Sequence, residues 1–146
     1  MEYPDVTFLH CSGYKSNDSN YTNYFGKIYE ARYLSGLAAG SLTESNKIGY
    51  VAAFPIPEVI RGINAFANGV KEVNPNATVE VVWTNTWFGP EEETQAANAL
   101  LEAGADVLTQ HQDSASTGIA AEAAGAKWIG YLSLIHISEP TRRLII

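Results

Sequence analysis

Residues 48–84, IGYVAAFPIPEVIRGINAFANGVKEVNPNATVEVVWT, decide the fold class. Ile48 to Ala53 is a short apolar run that reads as a buried strand, and Pro55 and Pro57 end it. Pro57 suits the first turn of a helix, where its missing N–H has no intrahelical partner to lose. Val59, Ile60, Ile63, Phe66, Ala67, Val70 and Val73 then recur at three- and four-residue steps and form one helical stripe. Asn74-Pro75-Asn76 stops that helix, because proline disfavours helical geometry in the residue before it. A second strand, Val79 to Thr84, follows. Strand, helix and strand joined by short links make a parallel pair with a right-handed crossover.

The same alternation continues on both sides. Gly89-Pro90 and Glu91-Glu92-Glu93 open another helix, where negative charge favours the positive end of the helix dipole. Ala96, Ala97, Leu100 and Leu101 give it a core face, and Gly104 suits its C-terminal cap. Asp106 to Gln110 reads as a strand, Thr117 to Ala124 as a short helix, and Lys127 to Tyr131 as a further strand. Upstream, Phe25, Ile28, Tyr29, Leu34, Leu37 and Ala38 predict a long helix from Tyr24 to about Leu42. Val6 to Cys11 reads as a buried strand ending in a Ser12-Gly13 turn, and Lys15 to Asn23 as loop. The expected class is α/β, a doubly wound, mostly parallel sheet covered on both faces. Ligands of such sheets settle outside the carboxyl ends of the strands. Those ends are Ser12 to Lys15, Phe54 to Pro57, Asn85 to Phe88 and His111 to Ser114.

Composition narrows the function classes. With 146 residues, 46% hydrophobic and 17% charged, the chain can fill one core. A net charge of −7 argues against a nucleic-acid surface, which needs a local excess of Lys and Arg. The single cysteine excludes an internal disulfide. Cys11 reads as a small strand-end residue, and with no basic, apolar leader before it, neither lipid attachment nor an export signal is expected in these residues. No apolar run reaches the ~20 residues that a membrane span needs.

From Leu132 the pattern breaks. Leu132-Ser133-Leu134-Ile135-His136-Ile137-Ser138-Glu139-Pro140-Thr141-Arg142 lacks the spacing and capping of its predecessors. It resembles the translation of a transposase end and adapter used in sequencing libraries. Residues 132–146 are therefore expected to be a read-through tail that carries no function, and the fold to be cut off in mid-domain at Tyr131.

Few motifs carry chemistry. No glycine-rich phosphate loop follows a strand, since Gly36 and Gly40 lie within a helix pattern and lack the required spacing. His111 and Asp113 are a pair rather than a metal set, so no metal and no cofactor is expected. Ser114 beside them lies in no nucleophile elbow, and no nucleophile and base stand at a workable spacing. His111 and Asp113 either hold a loop at a strand end or meet a polar ligand edge. Trp87 and Phe88, two aromatics in a loop after a strand, fit neither a helical nor a strand period. One of them is expected at the cleft as a flat platform for a planar ligand, or else as a lid tucked over the sheet. Phe54 is similarly placed.

Several stretches together resemble one family: Tyr24 to Gly40, Ile48-Gly49-Tyr50-Val51, Phe54 to Ala65, Trp83-Thr84-Asn85-Thr86-Trp87-Phe88, and Gly104-Ala105-Asp106-Val107. They are similar to the basic membrane protein family of ABC-transporter solute-binding proteins, and Phe54 to Ala65 to its purine-binding branch. The resemblance covers nearly all of Tyr3 to Tyr131 and implies that residues 1–131 are a partial ligand-binding lobe, incomplete at both ends. It implies a two-lobed type I periplasmic binding fold that closes on a purine base or nucleoside between aromatics of opposite lobes, then delivers it to an ABC permease. It places Trp87 as the stacking aromatic, His111 and Asp113 at the bordering loop, and Asn85 and Tyr14 at the cleft. It also implies a periplasmic or cell-surface site, an opposing lobe, and an acidic ligand contact where this chain turns into Leu132. Alternatives on the same sheet are the effector lobe of a transcription regulator and a purine-processing enzyme.

Overall fold

A computed structural model describes residues 3–131. The predicted tail, with His136, lies outside the described residues. In chain order the elements are β1 (Phe8–Cys11), β2 (Tyr21–Tyr24), α1 (Ile28–Leu42), β3 (Lys47–Ala52), α2 (Pro57–Val73), β4 (Thr78–Trp83), α3 (Pro90–Glu102), β5 (Val107–His111), α4 (Ser116–Ala123) and β6 (Lys127–Ile129).

The last four strands form one parallel sheet in the order β4-β3-β5-β6. β3 is central, pairing Ile48 with Val79 on one side and with Val107 on the other. Alternation along β3 splits the interior in two. Ile48, Tyr50 and Ala52 join Ala39 of α1 and Val59, Phe66 and Val70 of α2 in one core. Val51 joins Ala96, Ala97 and Leu100 of α3 and Ala120 and Ala121 of α4 in the other. The chain leaves β3 for β4 through α2, then crosses back through α3 to β5 on the opposite side. That reversal puts a topological switch point at the carboxyl ends of β3 and β5, where such sheets open a crevice. The expected doubly wound α/β class is the observed one.

Helices α1 and α2 approach backbone to backbone because glycine leaves no Cβ between them. A Cβ on Gly36 would lie 2.1 Å from the Phe66 carbonyl oxygen, and one on Gly69 would lie 2.1 Å from that of Tyr33. Beyond the end of α3, Gly104 takes φ +95°, the left-handed conformation that a side chain resists.

Three expectations need correction. Val6 to Cys11 is not a buried strand: Val6, Phe8 and Leu9 are all exposed, Leu9 at 65%. Lys15 to Asn23 is not all loop, because Tyr21–Tyr24 forms β2, parallel to β1 in a separate two-stranded sheet with Phe8 opposite Tyr21. A two-stranded sheet has no layer to bury its faces unless something else packs on them. An Asn17 side chain that accepts from the backbone N–H of Asn20 and Tyr21, each at 2.9 Å, shapes the link between the two strands. Finally, α1 begins at Ile28 rather than Tyr24, and Phe25 and Leu34 face solvent. Its buried stripe is Arg32, Gly36, Ala39 and Gly40, small residues and one charge that hydrophobic spacing does not reveal.

Candidate functional site at the strand tips

The crevice is built from the residues that follow each strand. After β4, the N–H of Thr84 donates to the Ala52 carbonyl and that of Asn85 to the Ala53 carbonyl, both at 2.9 Å, so the chain stays strapped to the end of β3. Asn85 then turns at φ +57°, a left-handed conformation that asparagine tolerates. The turn sets Trp87 beside Phe54, ring centroids 5.4 Å apart and planes at 56°. Trp87 lies 6.1 Å from the His111 ring at the end of β5. His111 in turn lies 4.1 Å from the Tyr131 ring, just past β6, with planes at 35°. Four strand ends thus contribute one continuous aromatic row. Trp87 keeps 39% of its surface exposed, so the row is open at the indole, whereas His111 is buried.

A buried cation lies next to this row. Arg32, 3% exposed, reaches from α1 and donates from Nη1 to Thr109 Oγ1 at 3.1 Å and from Nη2 to the Gln110 carbonyl. Its guanidinium carbon sits 4.4 Å from the Tyr131 ring centroid and 5.3 Å from that of Tyr50, a cation–π arrangement on both sides. Burial, reinforced by the charge of Arg32, lowers the His111 pKa to about 4, so the imidazole is neutral at pH 7. Burial pushes the Tyr131 phenol up to about 12 and raises Tyr50 as well. Glu58, at the start of α2, places Oε1 3.9 Å from His111 Nε2, and partial burial raises its pKa. The arrangement offers one exposed indole face and neutral hydrogen-bonding edges over a fixed positive charge.

The two loops bordering the row are tied together. Glu93, fully buried in the first turn of α3, accepts from the Gly89 N–H at 3.2 Å and from Ser114 Oγ at 2.6 Å. The Asp113 N–H donates to the Trp87 carbonyl at 3.0 Å. Gln112 Nε2 donates to Thr84 Oγ1, and Trp128 Nε1 donates to Gln110 Oε1 at 3.2 Å. The acidic run read as a dipole partner therefore has a second use: its third carboxylate holds the Trp87 loop against the loop after β5.

Of the residues singled out in the sequence, Trp87, Phe54 and His111 meet in this cluster. Asn85 and Asp113 are exposed on the same loops and contribute through their main chain. Tyr14 is 86% exposed in the segment between β1 and β2, its ring near Lys15, and the structure does not bring it to the row. Phe88 is 65% exposed beside Trp87. Sequence reasoning missed Arg32, Tyr50, Glu58 and Tyr131. A lone arginine within a helix and a tyrosine within an apolar strand are the available signals, and neither has a periodicity that marks it. Among the described residues no three His, Cys, Asp or Glu side chains gather as a metal site, and no helix is long and apolar enough to cross a membrane. A shallow groove of about 440 Å³ between α1 and α2, lined by Tyr29, Tyr33 and Leu34 among others, shares no residue with the row.

One family matches the sequence, and its fold matches the one observed. Residues 1–138 match the model of the Bmp family, described as ABC transporter substrate-binding protein PnrA-like. The chain belongs to that family. The match runs past Tyr131 into the segment whose spacing differs from the rest. An ABC transporter glucose-binding protein of Haloferax volcanii is 53% identical over 130 residues, 89% of this chain and 33% of that protein. A purine-binding protein of Brucella abortus is 42% identical over 132 residues, 90% of this chain and 37% of the relative. Among solved structures, a solute-binding protein of an ABC transporter system from Conexibacter woesei superposes with TM-score 0.69 at 29% identity, covering 88% of this chain and 44% of that one. A transcriptional activator of the comK gene from Bacillus halodurans superposes with TM-score 0.73 at 26% identity, over 90% and 46%. The chain thus spans about a third of the length of these two curated relatives and under half that of these solved chains.

Proposed function

We propose that this Bmp-family chain is one lobe of an extracytoplasmic receptor that binds a purine base or nucleoside and delivers it to an ABC permease. The observation that carries this reading is the row Phe54, Trp87, His111 and Tyr131 at the switch point, with Trp87 open to solvent. A planar heteroaromatic gains about 1–3 kcal/mol from stacking on one such ring, and closure of an opposing lobe supplies the second wall. The binding relatives and the lack of a nucleophile–base pair in the row favour capture over turnover.

With one wall, the 146-residue chain binds weakly or not at all; micromolar heat from adenine or adenosine on this chain alone overturns that part. Joining the chain to the flanking segments of the Haloferax volcanii relative provides the other wall. Titration of that protein with adenine, adenosine and glucose is expected to give heat with the purines. Heat with glucose alone would replace the purine with a sugar, as the name of that relative suggests. The likeness to a transcriptional activator favours a second reading, an effector lobe. A DNA-binding headpiece in the same reading frame would select it, and a signal peptide would refute it.

A further inference from the structure

Glycine in a helix interior is unfavourable and usually has a packing reason. In α1 and α2 that reason is visible at Gly36, Gly40 and Gly69, where a Cβ would come within 2.9 Å of a neighbouring backbone oxygen. Gly62 is different. A Cβ there would meet nothing closer than 3.8 Å, and the atoms at that range are His111 Nδ1 at 3.8 Å, Arg32 Cγ at 3.8 Å and Tyr50 Oη at 3.9 Å. All three side chains belong to buried residues: Arg32 is 3% exposed, Tyr50 0% and His111 2%. Among the described residues His111 Nδ1 has no hydrogen-bond partner, and Tyr50 Oη has only the nearby Arg32 guanidinium as a donor, beyond the geometry of a full hydrogen bond. Unpaired buried polar atoms of this kind are normally satisfied by an ordered water making two to four hydrogen bonds.

We propose that one water molecule binds over the Cα of Gly62, between His111 Nδ1 and Tyr50 Oη, and fixes His111 as the tautomer protonated on Nε2.

The donor inventory sets the direction. Arg32 can only donate, and it donates toward Tyr50 Oη, which leaves the tyrosine O–H to point at the water and a water hydrogen to point at His111 Nδ1. The positive guanidinium nearby also favours a lone pair on Nδ1 over an N–H. The proton therefore resides on Nε2, the nitrogen that Glu58 approaches at 3.9 Å. The groups facing the ring are Arg32, Glu58, Tyr50, Tyr131 and Trp87. With Nε2 as donor, His111 presents a hydrogen to the strand-tip crevice. If the receptor reading above holds, His111 then selects a ligand edge carrying an acceptor, and Gly62 is a positioning residue for it.

The test reads the tautomer without ligand, so its failure and that of the receptor reading are distinguishable. Long-range proton–nitrogen spectra of the histidine-labelled chain, with His111 assigned by its loss in His111→Gln, are expected to show an unprotonated Nδ1 and a protonated Nε2 at pH 7. A crystal structure is expected to show solvent within about 3 Å of Nδ1 and Tyr50 Oη. Gly62→Ala has room for its methyl group, folds, and excludes the water; its His111 resonances are expected to shift toward the other tautomer or to exchange between the two. A proton on Nδ1 in the parent chain, a direct Tyr50–His111 bond in place of solvent, or unchanged His111 resonances in Gly62→Ala overturns the proposal.

Discussion

The carboxylate of Glu93 accepts a 2.6 Å hydrogen bond from the hydroxyl of Ser114 across 21 positions of sequence, and this contact joins the two loops that frame Trp87. Because Glu93 is fully buried, removing it leaves Ser114 and the Gly89 N–H to find new partners in the interior. Hydrogen bonds to a charged group contribute about 1.5–3 kcal/mol each. Glu93→Ala is expected to lower stability to urea by about 2–4 kcal/mol on that scale. In a double-mutant cycle with Ser114→Ala, a coupling of about 1 kcal/mol or more is expected; additive effects would remove the latch.

The glycine contacts between α1 and α2 predict a loss of comparable size. Gly36→Ala and Gly69→Ala each drive a methyl group onto a carbonyl oxygen that now lies 2.1 Å from where Cβ would stand. The helices must separate, and overpacking of this sort costs about 1–3 kcal/mol or more. Circular dichroism melts of both variants are expected to fall well below the parent chain. Unchanged melting would mean that the two helices do not meet at these glycines.

A pH dependence follows from His111. Its folded pKa of about 4 lies below the ordinary value of 6.5, so between those values the unfolded chain takes up a proton that the folded chain refuses. The stabilisation is complete above pH 6.5 and is lost as pH falls toward 4. A tenfold change in proton affinity corresponds to about 1.36 kcal/mol, so the full effect is up to about 3 kcal/mol. Urea titrations at several pH values are expected to show that slope in the parent chain and a flatter one in His111→Gln. Parallel slopes would place the imidazole in bulk solvent.

Asp106 predicts an effect far from the crevice. Its carboxylate accepts from Thr43 Oγ1 at 2.6 Å and from the backbone N–H groups of Glu44 and Ser45 at 2.6 and 2.8 Å, holding the end of α1 to the start of β5. Burial pulls its pKa upward, but these hydrogen bonds outweigh it and the net shift is downward. Asp106→Asn keeps the shape and loses the charge, and is expected to cost about 1–2 kcal/mol of stability with ligand affinity unchanged. A loss of affinity at constant stability would assign this aspartate to the site instead.

How much of this was legible in the sequence depended on the kind of signal. The stretch from Ile48 to Thr84 carries its strand, helix and strand in plain periodicity, and the structure places β3, α2 and β4 within a residue or two of the reading. Trp87 was legible because an indole in a loop has no period to absorb it. Arg32 was not, since its role depends on Thr109, Gln110 and Tyr131, far along the chain and brought close only by the crossovers. The β1–β2 pair misled for a related reason. Val6 to Cys11 has the composition of a buried strand, but burial depends on what packs against it, and composition does not record that.

The central claim is that the Trp87 indole forms half of a flat slot. The most direct test is calorimetry of adenine or adenosine binding to the chain joined to its relative's flanking segments, with and without Trp87→Ala. A stacking contribution of about 1–3 kcal/mol predicts affinity at least roughly ten-fold weaker in the variant. Equal affinity in the two proteins would contradict the account.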